Sequence, residues 1–154
     1  GSDADAAIYY LAKMIEAGED PRFIARRLIV TAAEDVGLAD NNALSVAVNA
    51  YKAVELLGLP EGRIPLAQAV IYVAQAPKSN SAICAIDAAL TDIQRGLDFP
   101  PPMHLRDAHY KDAKKYGFGE GYLYSHAHPN EYQQFLPDEI KDKKYVNILY
   151  FREF

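Results

Sequence analysis

Cys84 is the only cysteine in this 154-residue chain, so no intramolecular disulfide framework exists and nothing in the composition points to secretion. The N-terminus has neither the basic nor the apolar region of a signal peptide, and a reducing cytoplasm is the expected compartment. No long hydrophobic run occurs either. The longest stretch without a charge, Ile64 to Pro77, falls short of the ~20 residues a membrane span needs, and it reads instead as a buried core helix. No G-x-x-x-x-G-K-[ST] occurs, so the phosphates of ATP have no cradle of backbone N–H groups and lysine here. Catalytic and cofactor-binding residues are therefore expected to be none.

Half of the residues are apolar and 24% charged, ordinary for one globular domain. At this length, folding buries roughly 68–70% of the unfolded surface, enough for a core without metal. The net charge of −5 sits in residues 1–103, which hold 8 Lys+Arg against 13 Asp+Glu; residues 104–154 hold 8 of each. A pI near 5.3 argues against nucleic-acid binding as the main role of the first hundred residues.

Five helical patterns precede the proline run Pro100-Pro101-Pro102. Ser2 and Asp5 approximate a capping box, followed by Ile8, Leu11, Ala12 and Ile15 at helical spacing and a stop at Gly18. Asp20-Pro21 starts a second helix, with Ile24, Leu28, Ala32 and Val36 near one face and Gly37 as its stop. A third runs from Asn42 to Leu57, with Leu44, Ala47, Val48, Tyr51 and Val54 inward and Gly58 as cap. The fourth, Pro65 to Gln75, is apolar nearly all round and is the expected centre of the core. Asn80 or Ser81 caps a fifth, whose stripe is Ile83, Ile86, Leu90 and Ile93 before Gly96.

The expected fold is thus all-α, a compact bundle of antiparallel helix pairs over residues 1–97. Residues 98–154 supply an extended proline segment, one short helix from Asp107 to Tyr116, and an aromatic tail. That tail wraps the helical body, or a partner, through its rings. Tyr145 to Phe151 is rich in strand formers and suits an edge pairing.

Several constellations invite a chemical reading. His104, His109, His126 and His128 lie close in sequence, but no Cys-x-x-Cys or His-Glu-x-x-His accompanies them, and no metal site is expected. Cys84 beside Ala85 and Ile86 reads as a small buried hydrophobe rather than a thiolate nucleophile. Lys78-Ser79-Asn80 reads as a capped helix start with the lysine in solvent, or as a docking point for a partner's carboxylate. Arg26 and Arg27, with Glu34 and Asp35 two turns later, form either a charged surface or an interface. Arg106, Lys111, Lys114 and Lys115 flank Gly117-Phe118-Gly119-Glu120-Gly121, with Tyr122 and Tyr124 beyond. Cations and rings together are candidates for a weak DNA contact, although Asp107, Asp112 and Glu120 dilute the field.

Three signatures follow in order: Ala76-Pro77-Lys78-Ser79-Asn80, His104-Leu105-Arg106-Asp107-Ala108, and Gly117-Phe118-Gly119-Glu120-Gly121-Tyr122-Leu123-Tyr124 with Phe135-Leu136-Pro137. With Ala25-Arg26-Arg27-Leu28 and Ala33-Glu34-Asp35-Val36-Gly37-Leu38-Ala39-Asp40 upstream, this order closely resembles the C-terminal region of the RarA/MgsA family of AAA+ ATPases. These are bacterial replication-associated recombination proteins related to the Werner-helicase-interacting protein. The similarity runs from about Ser2 to Pro137. Glu120 departs from it, standing where a lysine is expected.

The resemblance implies a non-catalytic oligomerisation domain, similar to the collar of clamp-loader ATPases, that forms homotetramers. ATP and Mg²⁺ then belong to the parent's ATPase core, and the implied partners are further copies of the chain and that core. DNA and fork proteins such as single-strand-binding protein are reached through the full-length, cytoplasmic and nucleoid-associated protein, with no role for a membrane. Two alternatives stand beside it: a ligand- or metal-binding module using the His/Lys/Tyr cluster, and a docking scaffold without self-association.

Overall fold

Aspartates open the first two helices of the computed structural model, which describes residues 1–109 and 113–147. Asp3, not Ser2, caps α1 (Ala4–Glu16), its carboxylate accepting from the Ala6 N–H at 2.9 Å. Asp20 caps α2 (Pro21–Thr31) in the same way through the Arg22 N–H, with proline at the first helical position as expected. Helices α3 (Asn42–Leu57), α4 (Arg63–Gln75) and α5 (Ser81–Gln94) follow. The run after α2 does not stay α-helical as far as Gly37: Ala32–Val36 widens into a π turn, and Gly37–Ala39 is a 3₁₀ turn.

Residues 1–87 with 145–147 form one compact unit and residues 88–144 another. In the first, α4 packs against α1, α2 and α3, and α2 also packs against α3, so α4 is central as its composition suggests. Two apolar clusters fill this unit. One joins Val36 to Ala43, Ala47 and Val73, and the other joins Leu11, Ile24, Val54 and Leu66. Its alanines (Ala25, Ala32, Ala43, Ala47, Ala50) let the helix backbones approach closely.

Alanine packing overturns parts of the expected pattern. On α3 it is Ala43, Ala47, Ala50 and Val54 that are buried, while Leu44 is exposed. On α4, Leu66, Ala69 and Val73 face inward but Ile64 and Ile71 face solvent, so this helix is central without being buried all round. On α5 the expected core stripe is open: Ile86, Leu90 and Ile93 are exposed. Cys84 is exposed as well, contrary to its reading as a buried hydrophobe.

In the second unit Asp92 is buried and forms an ion pair with Lys143 at 2.7 Å. Pro100-Pro101-Pro102 has no helix, and a 3₁₀ turn covers Met103–Leu105. Instead of one helix from Asp107 to Tyr116, residues 107–109 are non-helical and Ala113–Tyr116 is a 3₁₀ turn. The residues beyond are tied down by glutamines. Gln133 exchanges hydrogen bonds with the Leu123 backbone, and Gln134 donates to the Leu136 carbonyl and the Asp138 carboxylate. Tyr122, Tyr124, Tyr132 and Phe135 remain exposed. Of the strand-forming stretch from Tyr145, residues 145–147 contain no strand and the rest lies outside the described residues. Among the described residues no helix is long and apolar enough to cross a membrane.

Candidate functional site

Two motifs far apart in sequence meet at one point in the first unit. The Ser79 N–H donates to the Asp35 carbonyl at 2.8 Å, and Ser79 is fully buried. Gly37 passes so close that a Cβ there would stand 2.6 Å from the Ser79 carbonyl oxygen, and its φ of +48° lies where glycine is favoured. The Ser79 and Ser81 hydroxyls share a hydrogen bond of 2.8 Å, and the Ser81 N–H reaches the Ser79 Oγ at 3.4 Å. Asp40 completes the junction. Its carboxylate accepts from the Asn42 N–H at 2.9 Å, opening α3, and from the Tyr72 hydroxyl of α4 at 2.7 Å; the Asn42 amide in turn donates to the Tyr72 oxygen at 3.1 Å.

Lys78 does not stand free in solvent. Its Nζ donates to the carbonyls of Val73 (3.0 Å), Ala74 (3.1 Å) and Ala76, which closes the C-terminal end of α4, where a cation also suits the helix dipole. All three ammonium protons are thereby engaged. Burial pushes the Lys78 pKa below its ordinary value, partly offset by the Asp35 carboxylate. Beside it opens a groove of about 530 Å³ with Ala7, Leu28 and Val73 on its apolar side and Asp35, Lys78 and Asn80 among its polar residues. Among the described residues no buried side-chain polar atom lacks a hydrogen bond, and the junction pairs no nucleophile with a base. Its chemistry is that of a clasp.

The outward side of α2 and its π turn differs in kind. Arg26, Arg27, Glu34 and Asp35 are all exposed, and among the described residues no ion pair joins the two arginines to the two acids. Arg26 stands 6.0 Å from the centroid of the Phe23 ring, while Arg22 is bound to Asp20.

In the second unit the other two signatures also meet. Arg106 donates from Nε to the Pro101 carbonyl at 2.8 Å and lies 5.4 Å from the Phe118 ring centroid. The Gly119 N–H donates to the Met103 carbonyl at 3.0 Å, and a Cβ on Gly119 would meet that of Ala108 at 2.8 Å. Gly117, Gly119 and Gly121 all have positive φ, a conformation that glycine adopts without steric cost in a tight turn. Lys115, Tyr122 and Tyr124 are exposed, Lys114 belongs to the 3₁₀ turn, and Lys111 lies outside the described residues.

The histidines find separate partners. His104 pairs with the Gln134 carbonyl, His109 with Asp107 and His128 with Glu131, while the His126 ring lies 5.3 Å from that of Tyr124. The N–H and imidazole of His109 hold the Asp107 carboxyl below its ordinary pKa. Among the described residues no three His, Cys, Asp or Glu side chains gather as a metal site. Asp40, Tyr72 and the Asp92–Lys143 pair escape a reading of the sequence, because their partners lie 30 or more residues away.

The chain matches the family model described as "MgsA AAA+ ATPase C terminal" over residues 1–150. It is 54% identical over 147 residues to replication-associated recombination protein A of Bacillus subtilis (strain 168), covering 94% of this chain and 35% of that protein. Against the protein of the same name from Escherichia coli (strain K12) the identity is 43% over 148 residues, covering 94% and 33%. With ATPase WRNIP1 of Dictyostelium discoideum it is 40%, covering 94% of this chain and 17% of that protein. The chain thus spans about a third of the length of these two bacterial relatives. Its motifs, joined pairwise by the fold, and this match over nearly its whole length establish that the chain belongs to the family of MgsA AAA+ ATPase C-terminal domains.

Proposed function

We propose that this chain is the non-catalytic oligomerisation domain, or collar, of a AAA+ ATPase that acts in DNA replication, recombination and repair. It assembles subunits as a homotetramer and leaves ATP and Mg²⁺ to a separate ATPase core. One observation carries the reading: the first unit exposes more large apolar side chains than a free-standing bundle needs, with Leu56 87% exposed and Tyr9, Tyr10 and Ile64 each more than half exposed. Such surface marks contacts with other chains. The relatives' names tie the family to replication-associated recombination, and DNA and single-strand-binding protein are partners proposed for the full-length protein at the nucleoid.

Arg26, Arg27, Glu34, Asp35, Lys78, Ser79 and Asn80 are the proposed interface or docking residues. Arg106, Lys111, Lys114, Lys115, Tyr122 and Tyr124 are kept as a minor DNA contact. Light scattering over a dilution series tests the main reading. A tetrameric mass that falls on dilution is expected, and a monomeric mass at every concentration refutes it.

A further inference from the structure

The outward side of α2 and its π turn carries a pattern whose spacing is the same from both ends and whose charges invert on reversal. Arg26 stands as far before the midpoint between Val30 and Thr31 as Asp35 stands after it, and Arg27 matches Glu34 in the same way. Phe23 matches Leu38, and these two are 44% and 40% exposed. Val30, next to the midpoint, is 39% exposed. Cations thus occupy one half, anions the other, and apolar groups the centre and both ends.

We infer that a second copy of this chain packs antiparallel on this face, about a two-fold axis between Val30 and Thr31. There Arg27 meets the second copy's Glu34, Arg26 its Asp35, and Phe23 its Leu38. The inference rests on the assembly reading above and supplies a surface for it.

Three observations favour a second copy over an unrelated partner. The charge order is complementary to itself when reversed, which is the condition for an isologous contact. Among the described residues neither arginine is paired with either acid, so these charges are open to a partner. The π turn also matters. Its wider winding carries Glu34 and Asp35 on the exposed side while Ala32 and Val36 stay buried. Asp35 also feels the Lys78 ammonium, so Arg27 with Glu34 is the pair on which the test is built. One such contact closes a dimer, and a tetramer uses a second, different contact.

Arg27→Glu and Glu34→Arg, each alone, place like charges across the axis and should weaken self-association of the 154-residue chain by about tenfold or more in the light-scattering dilution series. The double variant Arg27→Glu/Glu34→Arg should return it to within about threefold of the parent value. All three should keep the parent's circular dichroism, since both positions are exposed, while the melting temperature of the single variants falls only as far as the lost assembly accounts for. Independently, Val30→Cys in a Cys84→Ser background should give a disulfide-linked dimer on mild oxidation, because position 30 lies beside its own copy at the axis. If the parent chain assembles but the single variants match it, or the double variant shows no recovery, or the cysteine variant does not cross-link, this surface is wrong and the collar reading stands. If the parent chain is monomeric throughout, both fall together.

Discussion

Gly37 shows how much one residue can decide. With its φ at +48° and the Ser79 carbonyl 2.6 Å from where a Cβ would stand, it is barred to side chains twice over. Gly37→Ala should cost more than the about 1–3 kcal/mol of an unfavourable dihedral alone, because the obstacle is backbone, and the N–H of the same buried Ser79 is bound to the Asp35 carbonyl. Gly18 has a positive φ too but open space around it, so Gly18→Ala should cost only the dihedral part; urea unfolding of the two variants measures the difference. Lys78 makes a companion case. Lys78→Met keeps the stem and deletes three charge-assisted bonds to the end of α4, and a loss of about 1.5–3 kcal/mol is expected in the same assay.

Helix α3 separates what periodicity tells from what packing chooses. Its span, Asn42–Leu57, and its glycine stop are legible because caps and breakers act locally. Which flank of its apolar arc turns inward is not, since Leu44 and Ala43 are neighbours and the choice depends on how near α2 and α4 come. They come close, so alanine wins. Ala47→Leu should therefore overpack the core and cost about 1–3 kcal/mol, whereas Leu44→Ala, on the exposed side, should change stability by no more than about 0.5 kcal/mol in thermal unfolding. The N-terminus of α2 carries a pH signature. Hydrogen bonds from the Arg22 side chain and N–H hold the Asp20 carboxyl below its ordinary value. A depressed carboxyl stabilises the fold fully above its unfolded pKa of about 3.9, and that contribution is lost as pH falls through the lower folded value. Asp20→Asn should flatten this part of the acid limb in a pH titration of stability.

For the whole molecule the sharpest expectation is negative. Titration calorimetry with ATP and Mg²⁺ should show no binding, since no phosphate loop occurs in the sequence; low-micromolar binding would overturn the collar reading. The sequence by itself determined the helical class, the order of the five helices, the span of α3, the glycine-rich segment and the family, because periodicity, breakers and motif order are written in neighbouring residues. Tertiary structure alone decided the rest. It joined Asp35 and Gly37 to Ser79, turned Lys78 from solvent onto the end of α4, and left Cys84 and the apolar stripe of α5 exposed. These outcomes depend on distances between residues some forty positions apart or on which face finds a partner, and close packing settles both only once all the helices are in place.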